Sequence, residues 1–318
     1  MEIAATDYHT AGEPFRIVTA GVPPIAGATV RERRARAAAD DAVDRVRRLL
    51  CHEPRGHADM YGCFLVEPDD AGADLGVLFW HKDGYSTACG HGTIALGAWA
   101  AESGRVSAPE DGSVDVTIDV PSGRVVARVR LAGGRVEAVA FRNVPSFVVA
   151  RDVEAAGARV DVAYGGATYA VVRAAAFGLR VVPDDLPALI AAGRAVKRAL
   201  EAAGVVRDPD GVYGTILYEA LGDLHQRNVT IFADGEVDRS PCGSGTSARC
   251  ALLAAEGALP EGRDLRHDSI VGSTFLARVI GETSEGLLTE VEGMAYRTGE
   301  HRFVLDERDP IGTGFVLR

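Results

Sequence analysis

The chain has 318 residues, 47% of them hydrophobic and 25% charged, with a formal net charge of −11. This composition excludes a disordered protein. The acidic balance, with a pI near 5.2, excludes the basic footprint of a nucleic-acid binder or of a protein held on an anionic membrane.

The N-terminus, MEIAATDYHTAGEPF, carries acids and a histidine where a secretory signal needs a basic start and an apolar run. No run approaches the roughly 18 apolar residues of a membrane span. A strand-like segment at 15–20 leads through Pro23-Pro24 into one helix predicted over about 30–50, with Val30, Ala37, Val43, Val46 and Leu50 at near-helical spacing. The basic stretch 31–36 is answered by Asp40, Asp41 and Asp44, which reads as a solvated helix face. Strand-like runs follow at 62–67 and 75–80, then a small-residue helix from about Gly92, then runs at 114–120, 125–131 and 136–141. The middle holds a strand-like pair, 160–164 and 168–172, and a long helix at 186–203, opened by Pro183-Asp184-Asp185 and closed by Gly204. After 216–218 and 228–232 comes a second small-residue helix, and strand-like segments run on to Phe315-Val316-Leu317. The pattern predicts a mixed α+β fold, and the length points to two domains at roughly 150 residues each.

An internal repeat organises the chain. Residues 89–104 read CGHGTIALGAWAAESG and residues 242–257 read CGSGTSARCALLAAEG; eight of the sixteen positions are identical at an offset of 153. Two related halves are predicted, each presenting one cysteine at a glycine-rich turn into a helix. Glycine lets the backbone approach a ligand closely, and the unbonded first-turn N–H groups and helix dipole favour an anion. A cysteine there is expected to have a lowered thiol pKa. Two such thiols around one small anion suit a cofactor-free racemase: one thiolate removes the α-proton, the opposite thiol reprotonates the other face, and fixed N–H donors hold the carboxylate.

Other readings of these residues are weaker. G-x-G-x-x-A also matches a loose dinucleotide fingerprint, but explains neither the duplication nor the paired cysteines. Zinc lacks a close-spaced second ligand. Cys89 with His91 as a thiol hydrolase pair has an unnatural spacing and leaves Cys242 unexplained. A pyridoxal enzyme needs a Schiff-base lysine, and Lys82 and Lys197, the two lysines present, lack phosphate-site context. No cofactor and no metal are expected. Cys51, Cys63 and Cys250 read as packing residues, and five thinly spread cysteines point to reduced thiols in the cytoplasm. His91 can reach the same ligand as Cys89, and Asp238 can meet a substrate ammonium. Arg239 is expected to pair structurally. His9, His57 and the HTAGEP and GHADMYG segments carry no derivable role.

At these residues the sequence resembles the proline racemase family, through HTAGEPFRIV, EPRGHADMYG, GYSTACGHGTIA, NVPSFV, YGGATYAVV, DRSPCGSGTSAR and SIVGSTF. The resemblance implies the diaminopimelate epimerase-like fold. That means two pseudo-symmetric domains (1–150 carrying Cys89, 151–305 carrying Cys242), each with strands around a central helix, and an active site in the cleft between them. It also implies a C-terminal strand near 306–318 that returns to the first domain, and a homodimer. Cys89 and Cys242 would be the acid–base pair, His91 and Asp238 would contact the substrate nitrogen, and N–H groups at Gly90, Gly243 and Ser244 would hold the carboxylate.

Within that family, racemases and hydroxyproline epimerases carry both cysteines, whereas typical trans-3-hydroxyproline dehydratases have threonine at the second position. GHADMYG, HKDGYST and FADGEVDRSP look more like the dehydratase branch, and Ala88 stands where methionine is usual. Inversion needs groups on both faces of Cα, and elimination needs one base. The second thiol therefore favours a racemase or epimerase acting on proline or hydroxyproline. Dehydration of trans-3-hydroxy-L-proline is the alternative, and a non-catalytic small-anion-binding protein is the reading of another class.

Overall fold

The computed structural model describes residues 1–207 and 209–317. The chain divides into two compact units: Met1–Thr10, Pro14–Val139 and Met294–Arg318 form the first, Ala11–Glu13 and Ala140–Gly293 the second.

In the first unit, Glu2–Thr10 runs antiparallel to Ala295–Val304, pairing Ile3 with Phe303 and Thr10 with Ala295. Glu13–Ala20 lies parallel to Tyr61–Val66, which runs antiparallel to Leu75–His81. Leu75–His81 pairs antiparallel with Gly84–Tyr85 and parallel with Gly112–Val120, which closes on Gly123–Ala132. Parallel neighbours need a crossover, and helices are the usual way to make one. α1 (Val30–Ala39) and α2 (Asp41–Cys51) occupy the first crossover, and α3 (Gly90–Glu102) the second. α1 and α2 bury Val30, Ala37, Val43, Val46, Leu49 and Leu50 against Phe64, Leu78 and Trp80.

The second unit repeats this ladder order. Ala158–Tyr164 runs antiparallel to Thr168–Arg173, which lies parallel to Gly214–Gly222, and that strand runs antiparallel to His225–Phe232. His225–Phe232 pairs antiparallel with Glu236–Asp238 and parallel with Leu265–Ser269, which closes on Thr274–Thr283. α4 (Leu186–Ala202) and α5 (Gly243–Ala255) occupy the two parallel crossovers. α4 buries Leu189, Val196 and Leu200 against Leu217, Val229 and Ile231. Each half is thus a mixed sheet around a central helix, the diaminopimelate epimerase-like fold, with α3 and α5 at equivalent places. Both helices are buried on every side over most of their length, the mark of a core helix rather than a surface one.

Three expectations from the sequence change. The single helix at 30–50 is two helices: Asp40 takes an extended conformation and its carboxylate accepts from the N–H groups of Ala42 and Val43, so an N-cap interrupts the run. The strand at Glu2–Thr10 and the one at Phe147–Ala155 went unpredicted. The regular strands end at Val304, and Phe315 makes only an isolated bridge to Glu53. Pro310, Gly312 and Gly314 stand between, and Gly314 has φ +95°. Among the described residues no helix is long and apolar enough to cross a membrane.

Candidate active site

Cys89 is the N-cap of α3, in extended backbone, and its sulfur accepts from the Gly92 N–H at 3.2 Å. The Thr93 hydroxyl donates to the Cys89 carbonyl at 2.8 Å. Gly90 and His91 form the first turn, both buried. The His91 ring stands edge-on to Tyr61 and Phe15, with centroids 5.0 and 5.7 Å away, and Thr10 Oγ1 donates to the His91 carbonyl at 2.9 Å. These contacts turn the imidazole onto its own motif: Nε2 lies 3.4 Å from Cys89 Sγ and Nδ1 3.5 Å. Residues two apart do touch here, against the sequence expectation, because an N-cap side chain folds over the first helical turn. A thiol beside an imidazole can pass its proton to it, which is a route to a thiolate base.

Cys242 is the N-cap of α5 but has φ +64°, in a region L-residues seldom adopt. Asp238 Oδ1 accepts from the Ser240 N–H at 2.8 Å and hydroxyl at 2.7 Å, and Ser240 Oγ accepts from the Cys242 N–H at 3.0 Å. One serine therefore links the acid to the cysteine. Burial raises the Asp238 carboxyl to about 6, against the Ser240 hydrogen bonds and the nearby Arg239 charge. Burial also pushes the Cys242 thiol well above the ordinary thiol range, and the negative charge of Asp238 adds to the rise. The lowered pKa expected from the helix start is overturned at Cys242, where desolvation of the thiolate outweighs the local dipole.

Gly243 and Ser244 follow as the buried first turn of α5. The Ser244 hydroxyl lies 2.6 Å from the Tyr169 hydroxyl, which is 3.8 Å from Cys242 Sγ. Sequence reasoning assigned no role to Tyr169, Ser240 or Glu13. The first sits in YGGATYAVV and the last in HTAGEP, segments whose partners lie far along the chain. Glu13 is fully buried; its Oε2 accepts from the Arg239 N–H at 2.7 Å and pairs with Arg239 Nε at 3.0 Å. The Ser273 hydroxyl donates to the Ala11 carbonyl at 2.6 Å. The segment Ala11–Glu13 thus braces the loop that carries Asp238 and Cys242. His9 lies beside Tyr296, and the exposed His57 accepts from the Asp59 N–H. None of the five cysteines is in a disulfide.

Each unit therefore holds one buried thiol at a helix start, with a titratable neighbour: an imidazole at Cys89, a carboxyl at Cys242. The family model described as Proline racemase matches residues 5–316. A trans-3-hydroxy-L-proline dehydratase of Bacillus cereus is 44% identical over 326 residues, covering 98% of this chain and 97% of that one. A 3-hydroxyproline 2-epimerase of Burkholderia multivorans is also 44% identical, over 334 residues, covering 99% and 98%. The crystal structure of a hydroxyproline epimerase from Agrobacterium vitis, with bound trans-4-hydroxy-L-proline, superposes with a TM-score of 0.92 at 30% identity, covering 99% of this chain and 95% of that one. With a family match along nearly its whole length and relatives of both activities at equal identity, the chain belongs to the proline racemase family.

Proposed function

We propose that the protein is a cofactor-independent racemase or epimerase that inverts Cα of proline or a hydroxyproline, with Cys89 and Cys242 as the acid–base pair. The observation that carries this reading is one device built twice, a buried cysteine capping a buried helix on the equivalent crossover of each unit. Inversion requires a base on one face of Cα and an acid on the other, and the two must exchange roles in the reverse direction. One thiol must then start as thiolate and its counterpart as thiol. Cys89 beside His91 suits the first part. Cys242, buried near Asp238, suits the second. In this reading the N–H groups of Gly90, Gly243 and Ser244 hold the carboxylate, and His91 and Asp238 meet the ring nitrogen. A buried Asp238 carboxylate would be partly repaid for its desolvation by the substrate ammonium. The reading carries with it a homodimer and a cytoplasmic setting.

Dehydration of trans-3-hydroxy-L-proline is the second reading, favoured by the Bacillus cereus relative. There one base takes the α-proton and the Cα–H electrons form the Cα–Cβ double bond. The 3-hydroxyl takes a proton from an acid (the protonated base or a second group) and leaves as water, and the resulting enamine tautomerises to the cyclic imine. The two reactions separate in D₂O with L-proline, trans-4-hydroxy-L-proline and trans-3-hydroxy-L-proline side by side. A racemase or epimerase exchanges the α-hydrogen and accumulates the opposite configuration, whereas a dehydratase releases the cyclic imine. Binding of these amino acids without exchange or release would leave a non-catalytic anion-binding protein.

A further inference from the structure

His267 is fully buried, and its two ring nitrogens have different jobs. Nδ1 lies 2.8 Å from Thr246 Oγ1 and Nε2 2.8 Å from Asn228 Nδ2. Both neighbours also donate to a single acceptor: Thr246 Oγ1 and Asn228 Nδ2 each lie 3.0 Å from the Pro241 carbonyl oxygen. The proton count has one solution. The Thr246 hydrogen goes to Pro241, so Thr246 Oγ1 accepts from His267 Nδ1–H. The two Asn228 hydrogens go to Pro241 and to His267 Nε2, which must carry its lone pair. A neutral Nδ1–H imidazole closes the circuit.

The object held is the peptide between Pro241 and Cys242. Its carbonyl is held by Asn228 and Thr246, and its N–H by Ser240 Oγ. Fixing both ends of that peptide sets its plane, and with it the φ of +64° at Cys242. A non-glycine residue persists in such a conformation only where its surroundings over-determine it. The first copy of the motif shows the contrast. Thr93, the repeat partner of Thr246, donates instead to the Cys89 carbonyl, and Cys89 has an ordinary φ of −154°. The carbonyl before Cys89, that of Ala88, accepts from the Ser86 hydroxyl at 3.2 Å. Of the two copies it is thus the strained cysteine whose preceding carbonyl is held by the motif threonine together with an asparagine.

We propose that His267 is a positioning residue for Cys242, acting through Thr246 and Asn228 on the Pro241 carbonyl; its catalytic consequence rests on Cys242 being one of the two acid–base thiols. The test uses the full chain with His267→Ala, His267→Gln and Thr246→Val. The first readout is the rate of iodoacetamide modification of Cys242 relative to Cys89, mapped by peptide mass spectrometry, which needs no turnover. The second is the split between kcat and KM on whichever proline substrate exchanges its α-hydrogen. A misplaced thiol should shift the Cys242 to Cys89 modification ratio about fivefold or more, and should lower kcat about tenfold with little change in KM. His267→Gln, which can offer a donor and an acceptor in place of the ring, should recover a large part of both. If His267→Ala does not fold, Thr246→Val carries the same readouts. Folded variants with an unchanged modification ratio and unchanged kcat would overturn the proposal. A shifted ratio in a protein whose Cys242→Ser variant keeps full activity would support the positioning role and sink the acid–base reading instead.

Discussion

The Gly92 N–H donates to Cys89 Sγ at 3.2 Å, and a methyl group placed on Gly92 would stand 2.8 Å from that same sulfur. The second copy repeats the closeness, with a methyl on Gly245 2.9 Å from Cys242 Sγ. The third residue after each cysteine is therefore glycine because the thiol occupies the space a side chain would need. Gly92→Ala also meets the Phe15 ring, at 2.5 Å. Overpacking of this kind costs about 1–3 kcal/mol. Both Gly92→Ala and Gly245→Ala are expected to lower the denaturant midpoint and to reduce α-hydrogen exchange, because each displaces a thiol.

Cys89→Ser and Cys242→Ser test the chemistry directly. Replacing either thiol should lower racemisation about 10²-fold or more, the usual scale for losing a positioned acid or base. In D₂O the two variants are expected to differ. With only one competent group, one-sided α-hydrogen exchange can survive while inversion is lost. Full activity in both variants would end the two-thiol mechanism.

Glu13→Ala removes the fully buried carboxylate that accepts from the Arg239 N–H and pairs with its side chain. Breaking a buried pair by deleting one partner costs about 3 kcal/mol at the lower end. A clear fall in thermal midpoint is expected, together with weakened turnover, because Arg239 lies between Asp238 and Cys242 in the chain. Glu13→Gln keeps an acceptor for the N–H and should lose less. An unchanged midpoint for Glu13→Ala would refute the bracing role.

Asp238 and His267 make opposite contributions to acid stability. The Asp238 carboxyl is raised from 3.8 to about 6 by burial, so the folded state holds the proton more tightly. Its contribution is full below about pH 4 and is lost as pH rises through 6. His267 is lowered from 6.5 to about 3, by burial and by the Arg249 charge, with Asp268 pulling the other way. Its contribution is present above about pH 6.5 and is lost as pH falls toward 3. Asp238→Asn should therefore gain stability relative to the parent as pH rises from 4 to 7. His267→Gln should lose less stability than the parent on acidification over the same window. Denaturant midpoints at several pH values check both signs.

Much of this protein was legible in its residues. The 153-residue offset between two C-G-x-G-T segments pointed to two related halves and picked Cys89 and Cys242 from five cysteines, because a repeated local motif needs no knowledge of distant contacts. Apolar periodicity located most strands and α4 for the same reason. The strand at Glu2–Thr10 pairs both with the adjacent Glu13–Ala20 and with Ala295–Val304 from the other end of the chain; it escaped because Glu2, Thr6, Asp7 and His9 break up its apolar alternation. Asp40 could be read as a helix surface residue or as a cap, and its extended backbone decided for the cap. The thiol pKa at Cys242 shows the limit most sharply. A helix start favours thiolate, and that much is local. Burial and Asp238 reverse it, and desolvation is set by everything packed around the sulfur. The sequence by itself singled out the residues proposed to carry the chemistry. Only the tertiary structure decided the raised pKa of Cys242 and Asp238, the clamp on Pro241 and the brace from Glu13, because each depends on what distant parts of the chain pack around these groups.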